Sequence, residues 1–149
     1  MLVIPKSINV VLVDHTGSPL QAEGVLIVVN IRCQGQPYFS HPLGLTDRRG
    51  TISATQNAIT SGFRRLQGVY PMDLKVSLSD CDPTLVVEVV SANELDERRK
   101  FVATRRLTPP EIRELYARAH QSVEPVSVTV EAGNVNEVLV RIPTKRLDP

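Results

Sequence analysis

The chain has 149 residues, 42% of them hydrophobic and 22% charged, with a formal net charge of +1. That length fits one domain, residues 1–149, able to bury a core without staples. The balanced charge gives no global pull toward nucleic acid, a membrane surface or acidic substrates, and the dense apolar runs exclude extensive disorder.

β-Branched residues dominate those runs, and their stiff side chains suit pleated strands. Ile8–Val13 reads as the first strand, and Asp14-His15-Thr16-Gly17 as a turn with Asp first and Gly fourth. Gly24–Arg32 is the second strand, with Val25, Ile27, Val29 and Ile31 on one face. Leu26 and Val28 on the other face suggest cover on both sides. Leu43–Ala54 reads as a short hairpin around the turn Asp47-Arg48-Arg49-Gly50. Residues 55–68 read as a polar loop, with a short helix as the alternative because Ile59, Phe63 and Leu66 keep helical spacing. Val69–Ser79, Leu85–Val90 and the weaker Lys100–Arg105 follow as strands, with Leu74 and Val76 among the expected core residues.

Thr108-Pro109-Pro110-Glu111 is a helix start, with a capping threonine, proline at the first helical position and a capping-box glutamate. Ile112, Leu115, Tyr116 and Ala119 then form one apolar stripe, predicting an amphipathic helix over 109–120. That stripe either packs on the domain or presents Tyr116 to a partner. Val126–Val130 and Val138–Ile142 alternate as strands, and Gly133-Asn134 reads as a hairpin turn between them. Frequent turn signals without strand–helix–strand alternation predict an all-β fold, a two-sheet antiparallel Greek-key sandwich of about seven to nine strands.

The first third carries a resemblance. Asp14, Gly17, Pro19 and Leu20, followed by Thr46, Asp47 and Gly50, fit an Asp-x-x-Gly-x-Pro-Leu and Thr-Asp-x-x-Gly pattern. Over residues 8–54 the chain resembles transthyretin-like domains, the carboxypeptidase regulatory-like and prealbumin-like sandwiches. The matching residues shape turns, so the resemblance implies fold and hardly implies activity. The segment 93–121 departs from the short form of that family. Hydroxyisourate hydrolases, an enzymatic branch, carry a first-strand histidine and a Tyr-Arg-Gly-Ser ending; Ile8–Val13 holds no histidine and Lys145–Pro149 lacks the tetrapeptide. Sandwich domains with this turn pattern include some with a Lys–Asn isopeptide bond. Lys6, Asn134 or Asn136, and Glu88 as assisting carboxylate would be its members here, against a reading of all four as ordinary surface residues.

Cys33 and Cys81 make neither a disulfide framework nor a zinc site; they read as structural thiols, with one disulfide or a reactive thiol as the alternative. His15, His41 and His120 are scattered, with no metal-ligand spacing. We therefore assign no catalytic, cofactor-binding or metal residues and expect no cofactor. The Arg pairs 48–49, 64–65, 98–99 and 105–106 would meet phosphates if they converged. Neighbouring acids and only 4% aromatic residues argue for a solvated surface instead. Met1–Pro5 is too short for a signal peptide or a membrane span, so a cytoplasmic protein is expected, with a removed signal peptide as the alternative.

These readings point to a non-enzymatic binding or structural module with a protein partner or a second copy of itself, and with no membrane. Its contact surfaces would be sandwich edges and the loops at 33–43 and 55–68. The alternatives are a hydrolase with an unrecognised site and nucleic-acid binding through the Arg pairs.

Overall fold

The computed structural model describes residues 4–33, 36–69, 84–91, 126–130 and 136–143, with the backbone alone at 33, 36–39 and 64–69. Its elements are β1 (Ser7–Val13), β2 (Leu26–Cys33), β3 (Gln36–Leu45), β4 (Thr51–Thr55), α1 (Gln56–Val69), β5 (Thr84–Val89), β6 (Val126–Thr129) and β7 (Glu137–Pro143). They form two sheets, ordered β4-β1-β7 and β3-β2-β5-β6. The result is an all-β sandwich with seven strands among the described residues.

Alternation along each strand decides which face is buried. On β1, Ile8, Val10 and Leu12 are at most 1% exposed, while Ser7, Asn9 and Val11 lie on the wetter face. From the other sheet, Val25, Ile27, Val29 and Ile31 meet Leu85, Val87 and Val89. Val140 and Ile142 of β7 complete this shared core. The expected core residues Val10, Leu12, Val25, Ile27, Val29 and Val140 are buried in it. Val128 is only half-buried, because the short β6 lies at the margin of its sheet. Leu74 and Val76 lie outside the described residues.

Four expectations change. First, within antiparallel-rich sheets one pairing departs: β1 runs parallel to β7, from Ser7↔Glu137 to Val13↔Pro143. A parallel neighbour needs a long crossover, and register partners 130 positions apart have the chain for one. Second, Leu43–Ala54 is not a hairpin: β3 and β4 lie in different sheets, and Asp47–Gly50 turns the chain from one to the other. The same is true of β6 and β7, so the link containing Gly133-Asn134 joins two sheets, although 131–135 lie outside the described residues.

Third, the expected loop at 33–43 belongs largely to β3. Pro37, Pro42 and Gly44 disguise it, but β3 is an edge strand, where proline is tolerated because one side needs no donor. The pairing shifts between Ile27 and Val28, and Gly44 there has φ of 137°. Fourth, 55–68 is the helix α1. Thr55 caps it by accepting from Ala58 N at 3.2 Å, and Ile59 and Phe63, one turn apart, enter the core at 0% and 2% exposure. Val69 ends this helix rather than opening a strand. The strands expected over 70–79 and 100–105 and the helix expected over 109–120 lie outside the described residues.

Candidate functional site

At one end of the sandwich, the two Asp-x-x-Gly turns are built alike. Asp14 Oδ1 accepts from the N–H groups of Thr16 (2.8 Å) and Ser18 (3.1 Å); Asp47 Oδ1 accepts from those of Arg49 (2.9 Å) and Thr51 (3.1 Å). Each glycine N–H donates back to the aspartate carbonyl at 3.0 Å, and the glycines take φ of 85° at Gly17 and 72° at Gly50. These bonds favour the ionised carboxylate, so both acids are held below their ordinary range. The leading cause is the Thr16 hydroxyl for Asp14 and the Thr51 N–H for Asp47.

The second turn is also stitched to the loop before β2. Thr46 is 3% exposed; its hydroxyl donates to Ala22 O (2.6 Å) and accepts from Val25 N (3.0 Å). Gly50 lies against Leu20 so closely that a Cβ there would sit 2.2 Å from the Leu20 carbonyl oxygen. The residues that carry the sequence resemblance thus build this end, through turn and loop hydrogen bonds.

The outer face of the four-stranded sheet carries a second, polar cluster. Leu26, Val28 and Val90 are fully buried there, with Leu45 packed beside them. Beyond them Glu88, 2% exposed, pairs with the Arg32 guanidinium. Arg32 Nε also donates to Asn30 Oδ1 at 3.2 Å, and Asn30 is fully buried. The guanidinium lies against the carboxylate and offsets part of the cost of burying its charge between β2 and β5. Sequence reading missed this cluster: Asn30 and Arg32 continue an otherwise apolar β2, and Glu88 interrupts the apolar run of β5. That interruption was the available signal.

Among the described residues the two sides of the sandwich differ. The edge strands β3 and β4 lie on one side, where α1 packs on both. His41 of β3 lies beneath it, with its ring 6.3 Å from that of Phe63 and against Gly62, where a Cβ would come within 2.5 Å of it. On the other side, β6 and β7 are the edges of their sheets and lie next to each other. Leu139 of β7, 56% exposed, is the exposed large apolar side chain among the described residues.

The structure does not gather the residues that sequence reading weighed for chemistry. His15 sits in an exposed turn, His41 under α1, and His120 outside the described residues. Lys6 and Asn136 are exposed beside the first sheet, whereas Glu88 faces outward from the second, so an isopeptide trio does not converge there; Asn134 lies outside the described residues. Arg48 and Arg49 are exposed in their turn. The side chains of Arg64 and Arg65, the later Arg pairs, the Cys33 side chain and Cys81 lie outside the described residues. Among the described residues, no three of His, Cys, Asp and Glu are grouped to hold a metal ion, and no helix is long and apolar enough to cross a membrane. Compared with known proteins, the chain matches no family model, no curated protein and no solved structure.

Proposed function

We propose that the chain is a non-enzymatic interaction module of the transthyretin-like, carboxypeptidase regulatory-like kind, which makes its contacts through the edges of its two sheets. The observation that carries this reading is the asymmetry of the sandwich. Among the described residues, the β3–β4 side is closed by α1, while the β6–β7 side sets two edges next to each other with Leu139 exposed beside them. An edge strand offers unpaired backbone groups to another chain, and such pairing supplies affinity without a pocket. The family part of the reading rests on Asp14, Gly17, Thr46, Asp47 and Gly50, which join two sheets through paired turns. We extend it to a cytoplasmic protein, since two cysteines supply no disulfide framework.

The test combines sedimentation of the purified protein with affinity capture, each repeated on a variant whose two edges are blocked by Ser127→Pro and Leu139→Lys. The reading expects self-association or a retained protein partner that the blocked variant loses. A protein that associates with nothing, or that turns over hydroxyisourate or another ester or amide substrate, contradicts it.

A further inference from the structure

We propose that β7 is a homodimer interface, in which two copies pair antiparallel about a two-fold axis through Leu139 and join their three-stranded sheets into one of six strands. This rests on the edge-contact reading above and names the edge, the partner and the register. Among the described strands, β7 has a neighbour only on its β1 side.

The register follows from the sequence of the strand. A two-fold axis normal to the sheet keeps both cores on the same side, so it must pass through a residue position. Centred on Leu139, it sets Glu137 opposite the partner's Arg141 and Arg141 opposite the partner's Glu137. Leu139 then meets the partner's Leu139. Glu137, Leu139, Arg141 and Pro143 are the exposed residues of β7, and they alternate with Val138, Val140 and Ile142 on the core side. Each charged residue therefore finds its opposite on the wet face, and the exposed leucine is covered by its own copy. On the inner face Val138 meets the partner's Val140, which continues the apolar layer.

The competing centre, Val140, sets Leu139 against the partner's Arg141 and Glu137 against the partner's Pro143. That register leaves both charges without a complement and the leucine without an apolar neighbour. Opposite charges facing each other across strands stabilise a pair, and like charges there destabilise it. Neither Glu137 nor Arg141 takes part in an ion pair among the described residues, so both are available. The two-fold arrangement is also the commonest closed symmetry for such a contact.

Charge reversal tests the register. Arg141→Glu sets Glu against Glu at both ends of the paired strands, and Glu137→Arg sets Arg against Arg. Each single variant is expected to dimerise at least about tenfold more weakly than the parent by sedimentation equilibrium, because two attractive pairs become repulsive. Mixed in equal amounts, the two variants are expected to recover association, since every cross-strand pair is then Glu against Arg. Circular dichroism of each variant confirms the fold, and the mixture itself guards against a folding defect.

A parent dimer that ignores both reversals, or folded variants that fail to associate when mixed, overturns the β7 interface but leaves the edge-contact reading standing through β6. A parent that is monomeric at all concentrations overturns the dimer. If that monomer also retains no partner, the edge-contact reading falls with it.

Discussion

Arg32 on β2 and Glu88 on β5 form an ion pair on the outer face of the four-stranded sheet, with the carboxylate 2% exposed and the guanidinium side chain 24% exposed. The two partners differ in what happens when one is removed. Removing Arg32 takes an ion-pair partner from a carboxylate that stays buried, whereas removing Glu88 leaves the more exposed Arg32 closer to water. We predict that Arg32→Met destabilises by about 3 kcal/mol, the lower end for breaking a buried pair, and that Glu88→Gln costs less. Urea unfolding of the two variants measures the difference, and equal losses would contradict the assignment of Glu88 as the deeper partner.

Gly50 and Gly17 hold the same place in two like-built turns but face different surroundings. Around Gly17 nothing lies within 4 Å of a Cβ, whereas at Gly50 the Leu20 carbonyl oxygen lies at 2.2 Å. Gly17→Ala is expected to cost about 1–2 kcal/mol, the backbone penalty of a left-handed conformation alone. Gly50→Ala should cost clearly more, because the turn must also move off Leu20. Unfolding midpoints that place the two alanines together would remove the close approach from the account.

Gly62 lets α1 settle onto the His41 ring. Gly62→Ala is predicted to lower stability in the parent and to do so much less beside His41→Ala. The coupling should be about 0.5–3 kcal/mol in a double-mutant cycle. Additive effects would mean that the helix is not seated there.

Asp14 and Asp47 give the protein an acid sensitivity of known sign. Their folded carboxyls are held below the ordinary value of 3.8 by bonds to Thr16 and Thr51, so folding favours the ionised forms. That contribution is present above the ordinary value and is lost as the pH falls from there through the lowered, folded one. Denaturant midpoints of the parent should drop on acidification through this window. Asp14→Asn with Asp47→Asn should flatten the drop, and an unchanged profile would contradict it.

The sandwich and its inner face were legible because β1 and β7 alternate between buried and wetter positions and β2 and β5 are dense β-branched runs; Val10 and Val140 fall on the inner face by period. The turns were legible because Asp and Gly at fixed spacing have few other uses. β3 was hidden by Pro37, Pro42 and Gly44, whose breaking tendency an edge position and a bulge absorb. α1 was hidden by Gly62, which serves a close approach rather than a loop. The parallel β1–β7 pair and the crossings between sheets at β3–β4 and β6–β7 were not legible. Alternation fixes a strand's faces but not its neighbours. The same limit hid the Arg32–Glu88 pair, which forms only once β2 and β5 lie side by side.

The claim that this domain works through its open edges is tested most directly by amide hydrogen exchange along β6 and β7, followed as protein concentration or bound partner increases. Backbone pairing at an edge should slow exchange at alternate amides of β7 or β6, in step with association measured by sedimentation, while β3 and β4 beneath α1 stay unchanged. Association that leaves the amides of both edges as fast as in the monomer would contradict it.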